Sequence, residues 1–201
     1  MNLPVPDADF IERLLAVIED DILPMTTVGV ASGNKVFGAA LLHKDSHELL
    51  LAETNYEIGS PLHHGEMHAL KKFYELPEAT RPSTDSLIFL TTHEPCSLCL
   101  SAITWCGFDN FYYLFSHEDS RDAFAIPHDL KILKEVFNVE PGAYQRKNAF
   151  WDSFAIRELI DSTEEPARAS LLARVERIVQ QYADLSTDYQ SSKHDNHIPL
   201  S

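Results

Sequence analysis

Two short blocks of metal-ligand side chains constrain this chain more than any other feature. In HGE, His64 is followed two residues later by Glu66, and in PCSLC the ligands are Cys96 and Cys99. Each block opens a predicted helix that follows a predicted strand. Because two strand–helix units of one sheet can bring their helix N-termini together, we expect a fold that places these blocks side by side.

The ligand set indicates zinc with an open coordination position. One imidazole and two thiolates make three ligands, and a catalytic zinc site leaves the fourth tetrahedral position to water. The cysteines follow Pro95, which favours the first turn of a helix, where free N–H groups and the helix dipole stabilise thiolates. Glu66 need not bind the metal and can act as the proton shuttle.

Two other interpretations of these residues stay open. The cysteine pair could be a redox dithiol, although the upstream HGE block argues against this. A structural zinc site would need a fourth protein ligand, which His63 or His68 could supply. We expect His68 to be a packed core histidine and His63 to lie in the loop near the mouth of the site. Cys106, in an apolar stretch, is predicted to belong to the core.

Composition narrows the classes of function. The chain has 201 residues and a formal charge of −15, from 31 acidic and 16 basic side chains. This charge, without a basic patch, disfavours nucleic-acid partners and suits a small-molecule substrate. Three cysteines fit a reducing compartment better than a disulfide framework. Neither a signal peptide nor an apolar run of membrane-spanning length is visible, so we expect a soluble cytoplasmic protein.

The order of predicted elements indicates an α/β domain. A helix over 9–23 precedes a hairpin of strands within 35–44 and 48–55. Further helices are predicted over 64–76, 95–106 and 128–137, and they alternate with strands over 86–92 and 110–116. We expect a three-layer α-β-α arrangement with a mixed sheet of about five strands, plus C-terminal helices over 148–161 and 164–185.

Four stretches resemble one known family. VFGAAL, ETN, HGEMHAL and TTHEPCSLCLSAITW are similar to motifs of the zinc-dependent cytidine/deoxycytidylate deaminase superfamily, whose signature is H-x-E…P-C-x-x-C. The resemblance covers about 35–137 and is greatest for the branch of guanine deaminases and tRNA adenosine deaminases. Val36, Gly65 and Leu98 replace the proline, alanine and methionine that are usual in the family.

The resemblance implies a cytidine deaminase-like fold, bound Zn²⁺ and hydrolytic deamination, with Glu66 moving the protons. By family analogy, Phe37 stacks on the base, Asn55 hydrogen-bonds it and the backbone near Ala39 lies alongside. His93 ends a strand beside the ligands, where it either contacts substrate or packs as a buried histidine. In the loop over 116–129, the acidic candidates for base recognition are Asp119, Asp122 and Asp129.

The resemblance, together with the helical pattern and the polar composition of the C-terminal part, also divides the chain. Residues 1–140 are assigned to the deaminase catalytic domain, 141–186 to a helical extension of the same domain and 187–201 to a disordered tail. Relatives usually associate, so we expect a homodimer.

Three functions compete. The favoured one is a zinc-dependent hydrolytic deaminase of a small nucleobase, nucleoside or related aminated heterocycle, with a purine such as guanine ahead. The second is a tRNA adenosine deaminase, against which the negative charge counts. The third is a non-catalytic zinc-stabilised module, which would have no use for Glu66.

Overall fold

One mixed sheet organises the molecule. The computed structural model describes residues 7–140 and 143–201, so most of the N-terminal stretch considered above for a signal peptide lies outside the described residues. The strands are β1 (Gly38–His43), β2 (Leu49–Thr54), β3 (Leu87–His93), β4 (Asn110–Phe115) and β5 (Asp152–Ala155). Their order is β2-β1-β3-β4-β5. β1 is antiparallel to β2 and β3, whereas β3, β4 and β5 are parallel.

Helices cover both faces of this sheet. They are α1 (Ala8–Ala16), α2 (Leu23–Ala31), α3 (Gly65–Glu75), α4 (Ser97–Trp105), α5 (His117–Asp122), α6 (His128–Phe137), α7 (Ile156–Asp161) and α8 (Ala167–Ser192). One core joins α1, α2, α7 and α8 to the sheet, and a second core joins α3 and α4 to its other face. The predicted three-layer α-β-α fold with a mixed five-stranded sheet is confirmed.

The central strand β1 shows how the two cores form. Ala40 and Leu42 point into the core shared with α1 and α8, and Ala39 and Leu41 point into the core shared with α3 and α4. A strand that is covered on both faces needs apolar residues at every position, which explains its uninterrupted AALL run.

The prediction of one continuous helix over 148–161 is wrong at its N-terminal part. Residues 152–155 form the edge strand β5, and α7 begins only at Ile156. The ring of Phe154 stacks on that of Tyr112 in β4, with the ring centroids 4.8 Å apart. Trp151 donates its indole N–H to Thr104 Oγ1 at 2.8 Å. These contacts with distant residues override a local pattern that is compatible with either helix or strand.

The first helical region is longer than predicted. Asp7 caps α1, its side chain accepting the N–H of Phe10 at 2.8 Å. A π-helical turn (Val17–Ile22) then connects α1 directly to α2, which ends at Ala31 rather than near Leu23. Because Pro24 lies in the first turn of α2, its missing N–H does not stop the helix.

The tail expected to be disordered over 187–201 is structured. The helix predicted over 164–185 is α8, which begins after Pro166 and continues to Ser192. Ser186 Oγ and Gln190 Nε2 donate to the carbonyl of Phe124 at 3.2 and 2.9 Å, and Tyr189 and Ile198 are buried. Polar residues therefore satisfy a buried carbonyl while the apolar ones complete a core. Within the described part of the chain, no helix has both the length and the apolar character needed to span a membrane.

Candidate metal centre and active site

The two ligand blocks meet at the carboxyl end of β3. His64 directly precedes α3, and Cys96 directly precedes α4. Cys96 Sγ lies 3.4 Å from His64 Nδ1, Cys99 Sγ lies 3.7 Å from the same nitrogen, and the two sulfurs are 3.6 Å apart. The predicted convergence of the two helix N-termini is therefore present.

These separations fit a tetrahedral zinc ion. With Zn–S bonds of about 2.3 Å and Zn–N bonds of about 2.0–2.1 Å, tetrahedral geometry places two sulfurs about 3.8 Å apart and a sulfur about 3.6 Å from a nitrogen. The three ligand atoms found here lie within a few tenths of an ångström of those values. His64, Cys96 and Cys99 are therefore the residues that would hold the zinc.

The backbone at the start of α3 packs directly against the backbone of β1. A Cβ atom added to Gly65 would lie 2.7 Å from the Cα of Gly38, too close for any side chain. The glycine that replaces the family's usual alanine is thus required by the close approach of two backbones.

The charges at the centre favour a thiolate beside a cationic imidazole before metal binding. A hydrogen bond from Cys99 and the charge of His64 lower the pKa of Cys96 against the effect of burial. Burial would lower the pKa of His64, but its hydrogen bond to Cys96 and the charges of Cys96 and nearby carboxylates raise it to about 9. Such a low-pKa thiol is typical of metal ligands and reactive cysteines.

Glu66 lies where a proton carrier is needed. Its side chain is buried and lines a small inner cavity of about 20 Å³ together with the ligand residues His64 and Cys96. Burial raises the pKa of Glu66 to about 7, and the neighbouring Cys96 thiolate adds to the effect. A carboxyl group with a pKa near neutrality can both accept and donate a proton.

Three of the substrate-contact candidates line this inner cavity. They are Phe37, His93 and Asp129. The rings of Phe37 and His93 meet edge to face at 4.6 Å, and the Nε2 of His93 is buried without a partner. Burial lowers the pKa of His93 to about 3, which keeps its imidazole neutral. Burial, helped by the charge of Cys96, raises the pKa of Asp129 to about 6.

The other candidates lie outside the cavity. Ala39 is buried in the core between β1 and α3. Asn55 is buried with its amide engaged, since Oδ1 accepts the N–H of Gly65 at 2.5 Å. Asp119 forms a capping box with Ser116 at the start of α5. Asp122 is exposed and pairs with the neighbouring Arg121.

The remaining histidines and the third cysteine also stand apart from the ligands. His63 and His68 stack on each other at 5.7 Å, and each also stacks on Tyr56. In residues 7–140 and 143–201, only His64, Cys96 and Cys99 form a group that could hold a metal. Cys106 is half-buried at the edge of the core below α4 rather than fully enclosed.

A larger outer cavity contains residues that the sequence did not single out. It measures about 220 Å³ and opens from His64 and Cys96 toward the chain's C-terminal segment. No local motif marks its walls, which come from segments far apart in the sequence. Its unpredicted lining residues include Lys35, Glu57, Ile126, His128, Ile132, Ile198 and Leu200.

Comparison with known proteins places the site in a family. Residues 22–115 match the family described as the cytidine and deoxycytidylate deaminase zinc-binding region. The resemblance inferred from the motifs is therefore confirmed, since this part of the chain, which includes His64, Glu66, Cys96 and Cys99, is similar to the zinc-binding region of that deaminase superfamily. Zinc is the metal of this region, and the ligand triad described above is positioned to bind it.

Several solved structures are similar to this chain. A protein solved in complex with 2,6-diaminopurine is 16% identical to this chain, with a TM-score of 0.50. The match covers 94% of this chain and 93% of that protein. A guanine deaminase from Bacillus subtilis is 25% identical over 70% of this chain and 80% of its own, with a TM-score of 0.49. A tRNA:A34 deaminase is 17% identical over 65% of this chain and 92% of its own, with a TM-score of 0.44. No curated protein matches the sequence significantly.

Proposed function

We propose that this chain is a zinc-dependent hydrolytic deaminase of a small nucleobase, nucleoside or related aminated heterocycle. The observation that carries the proposal is the buried Glu66, which lines one cavity with the metal ligands His64 and Cys96. A module that used zinc only for stability would have no need for a carboxyl group with a pKa near 7 at this point. Among substrates, a purine such as guanine is favoured by the resemblance of the motifs to the guanine deaminase branch.

The reaction replaces the ring amino group with oxygen from water and releases ammonia. When bound, zinc would supply Lewis acidity that lowers the pKa of water and stabilises negative charge on oxygen. Glu66 would accept the water proton at a carboxylate oxygen and deliver it to a ring nitrogen. It would then carry a second proton to the amine, which leaves as ammonia.

The inner cavity has room for about one water molecule, so a ring would lie in the outer cavity against the walls that the two cavities share, and these suit an uncharged ring with amino groups. Phe37 offers an apolar ring against which a heterocycle can pack. Asp129, ionised above its pKa of about 6, can accept hydrogen bonds from ring N–H or amino groups. His93 stays neutral and offers its unpartnered Nε2 to a polar atom of the substrate.

An ammonia-release panel tests this proposal. The zinc-loaded protein is incubated with guanine, adenine, cytosine, their nucleosides and their monophosphates, and separately with tRNA. We expect ammonia from at least one free base or nucleoside, with one oxygen atom from ¹⁸O-labelled water in the product. Ammonia from none of these compounds would overturn the proposal, and release from tRNA alone would contradict the small-molecule substrate. Homodimer formation and cytoplasmic location stay predictions.

A further inference from the structure

A carboxylate stands behind the metal ligand His64. The Nδ1 atom of His64 faces the two sulfurs, so its Nε2 points the other way. The Oε1 atom of Glu57 lies 3.8 Å from this Nε2, within ion-pair range and about 1 Å beyond hydrogen-bond length. Glu57 is in the loop between β2 and α3, and its side chain is only 2% exposed.

Two donors hold the Glu57 carboxylate independently of His64. Lys35 Nζ donates to Oε1 at 2.8 Å, and Asn55 Nδ2 donates to Oε2 at 2.7 Å. Asn55 in turn accepts the N–H of Gly65, the first residue of the helix that carries Glu66. The carboxylate is therefore fixed in place relative to both the metal ligand and the proton shuttle.

The buried Lys35–Glu57 ion pair is not explained by stability alone. Lys35 and Glu57 are 6% and 2% exposed in their side chains. A buried pair of this kind is often no more stabilising than apolar residues of the same volume, because both charges lose their hydration. In metal sites, however, a ligand histidine commonly donates its other ring N–H to a carboxylate, which fixes the ring and its tautomer.

We propose that Glu57 is a positioning residue for zinc binding, acting through His64. Its carboxylate favours the tautomer with the hydrogen on Nε2, which leaves the Nδ1 lone pair free for the metal. Lys35 offsets the added negative charge at a centre that already contains two thiols and Glu66, and Asn55 aligns the carboxylate. The inference rests on the zinc-binding part of the proposed function and not on the identity of the substrate.

The chain offers a matched control for this residue. Glu53 Oε2 of β2 lies 3.1 Å from Nδ1 of His68 in α3, so a second carboxylate–histidine pair joins the two elements that flank the loop of Glu57. His68 is not in the group that could hold the metal. Glu53→Gln therefore removes the same charge from a similar pair without touching the ligand.

Zinc affinity measured by chelator competition tests the inference. We expect Glu57→Gln to weaken zinc binding about 10- to 100-fold, whereas Glu53→Gln leaves it within about twofold of the wild type. In the cobalt-substituted proteins, Glu57→Gln should also shift the d–d absorption, because the His64 ring is no longer oriented. A merely structural role for Glu57 would not move this absorption at full metal loading.

A second variant guards against misfolding. Because Glu57→Gln leaves Lys35 buried without its counter-charge, the double variant Lys35→Met/Glu57→Gln removes both charges together. We expect the same loss of zinc affinity in the double variant. Zinc affinity and cobalt spectra equal to wild type in a folded variant would overturn the inference. Failure of the wild type itself to bind zinc would contradict the proposed function, whereas zinc binding that is insensitive to Glu57→Gln would contradict only the role of Glu57.

Discussion

The inner and outer cavities of the site are built in different ways. The inner cavity, of about 20 Å³, is lined by residues near strand ends and at the starts of α3 and α4, and by Asp129 of α6. The outer cavity, of about 220 Å³, is lined by the loop after β2, the start of α6 and the C-terminal segment. Side chains on packed strands and helices are held more rigidly than side chains on loops and termini.

This difference separates chemistry from selectivity. The groups that would bind metal and move protons lie on elements anchored in two cores. Several groups that would meet the outer part of a substrate lie on the C-terminal segment, which is joined to the fold by contacts such as the 3.1 Å hydrogen bond from Asn196 to the Gly33 carbonyl. Changes in the inner cavity should therefore lower turnover most, whereas changes confined to the outer cavity should alter the apparent affinity for substrate.

The largest effect is expected for Glu66→Gln. Loss of the proton carrier should reduce kcat about 10²- to 10⁴-fold, while the zinc ligands stay in place. Ammonia release and metal content, measured on the same sample, check this outcome. Glu75→Gln, an exposed position on the same helix, is the control and should keep full activity. Normal turnover by zinc-loaded Glu66→Gln would refute its role.

A smaller loss is expected for Asp129→Asn, because Asp129 lines both cavities. A hydrogen bond to a charged group contributes about 1.5–3 kcal/mol, so kcat/KM should fall about 10- to 100-fold. Steady-state kinetics with the best substrate of the panel measure this change. Asp122→Asn, on an exposed side chain of α5, provides the comparison. Equal kcat/KM values for the two variants would show that Asp129 makes no contact with the substrate that contributes to turnover.

His93 is expected to couple folding to pH. Its pKa falls from 6.5 to about 3 because it is buried, so between these values the unfolded chain binds a proton that the folded chain does not. Stability is therefore lost as the pH falls below about 6.5, by roughly 2 kcal/mol at pH 5. Urea unfolding at pH 7 and pH 5 should show this loss in the wild type and not in His93→Gln. An unchanged pH dependence in the variant would show that His93 is protonated in the folded state.

The smallest effect is expected in the outer cavity. Ile198→Ala removes apolar surface from its wall, so KM should rise about three- to tenfold with kcat unchanged. His197→Ala, at an exposed neighbouring position, should leave both constants unchanged. A fall in kcat for Ile198→Ala would show that the two cavities are not independent.

The sequence predicted the inner part of the site because its residues occur in two compact motifs. His64, Glu66, Cys96 and Cys99 lie at the starts of α3 and α4, the helices that follow β2 and β3, so the local pattern was enough to bring them together. Lys35 and Glu57 could not be found in this way. They are 22 positions apart and pair only because β1 and β2 form a hairpin, and neither belongs to a ligand motif.

The fold was predictable where the apolar pattern was strong. Strands β1 to β4 showed clear apolar runs, whereas β5 has four half-buried residues and is defined only by pairing with β4. The C-terminal segment looked disordered because of its polar composition. Its order depends on the Phe124 carbonyl, which lies more than 60 positions away, and composition carries no information about such a contact.

The ordered C-terminal segment has a practical consequence for anyone who produces this protein. Ile198, Pro199 and Leu200 line the outer cavity, so a purification tag fused after Ser201 would begin one residue from its wall. Such a tag could occupy the entrance or pull the segment away from it. Assays, immobilisation and inhibitor screening should therefore use a tag at the N-terminus or a tag that is cleaved off completely.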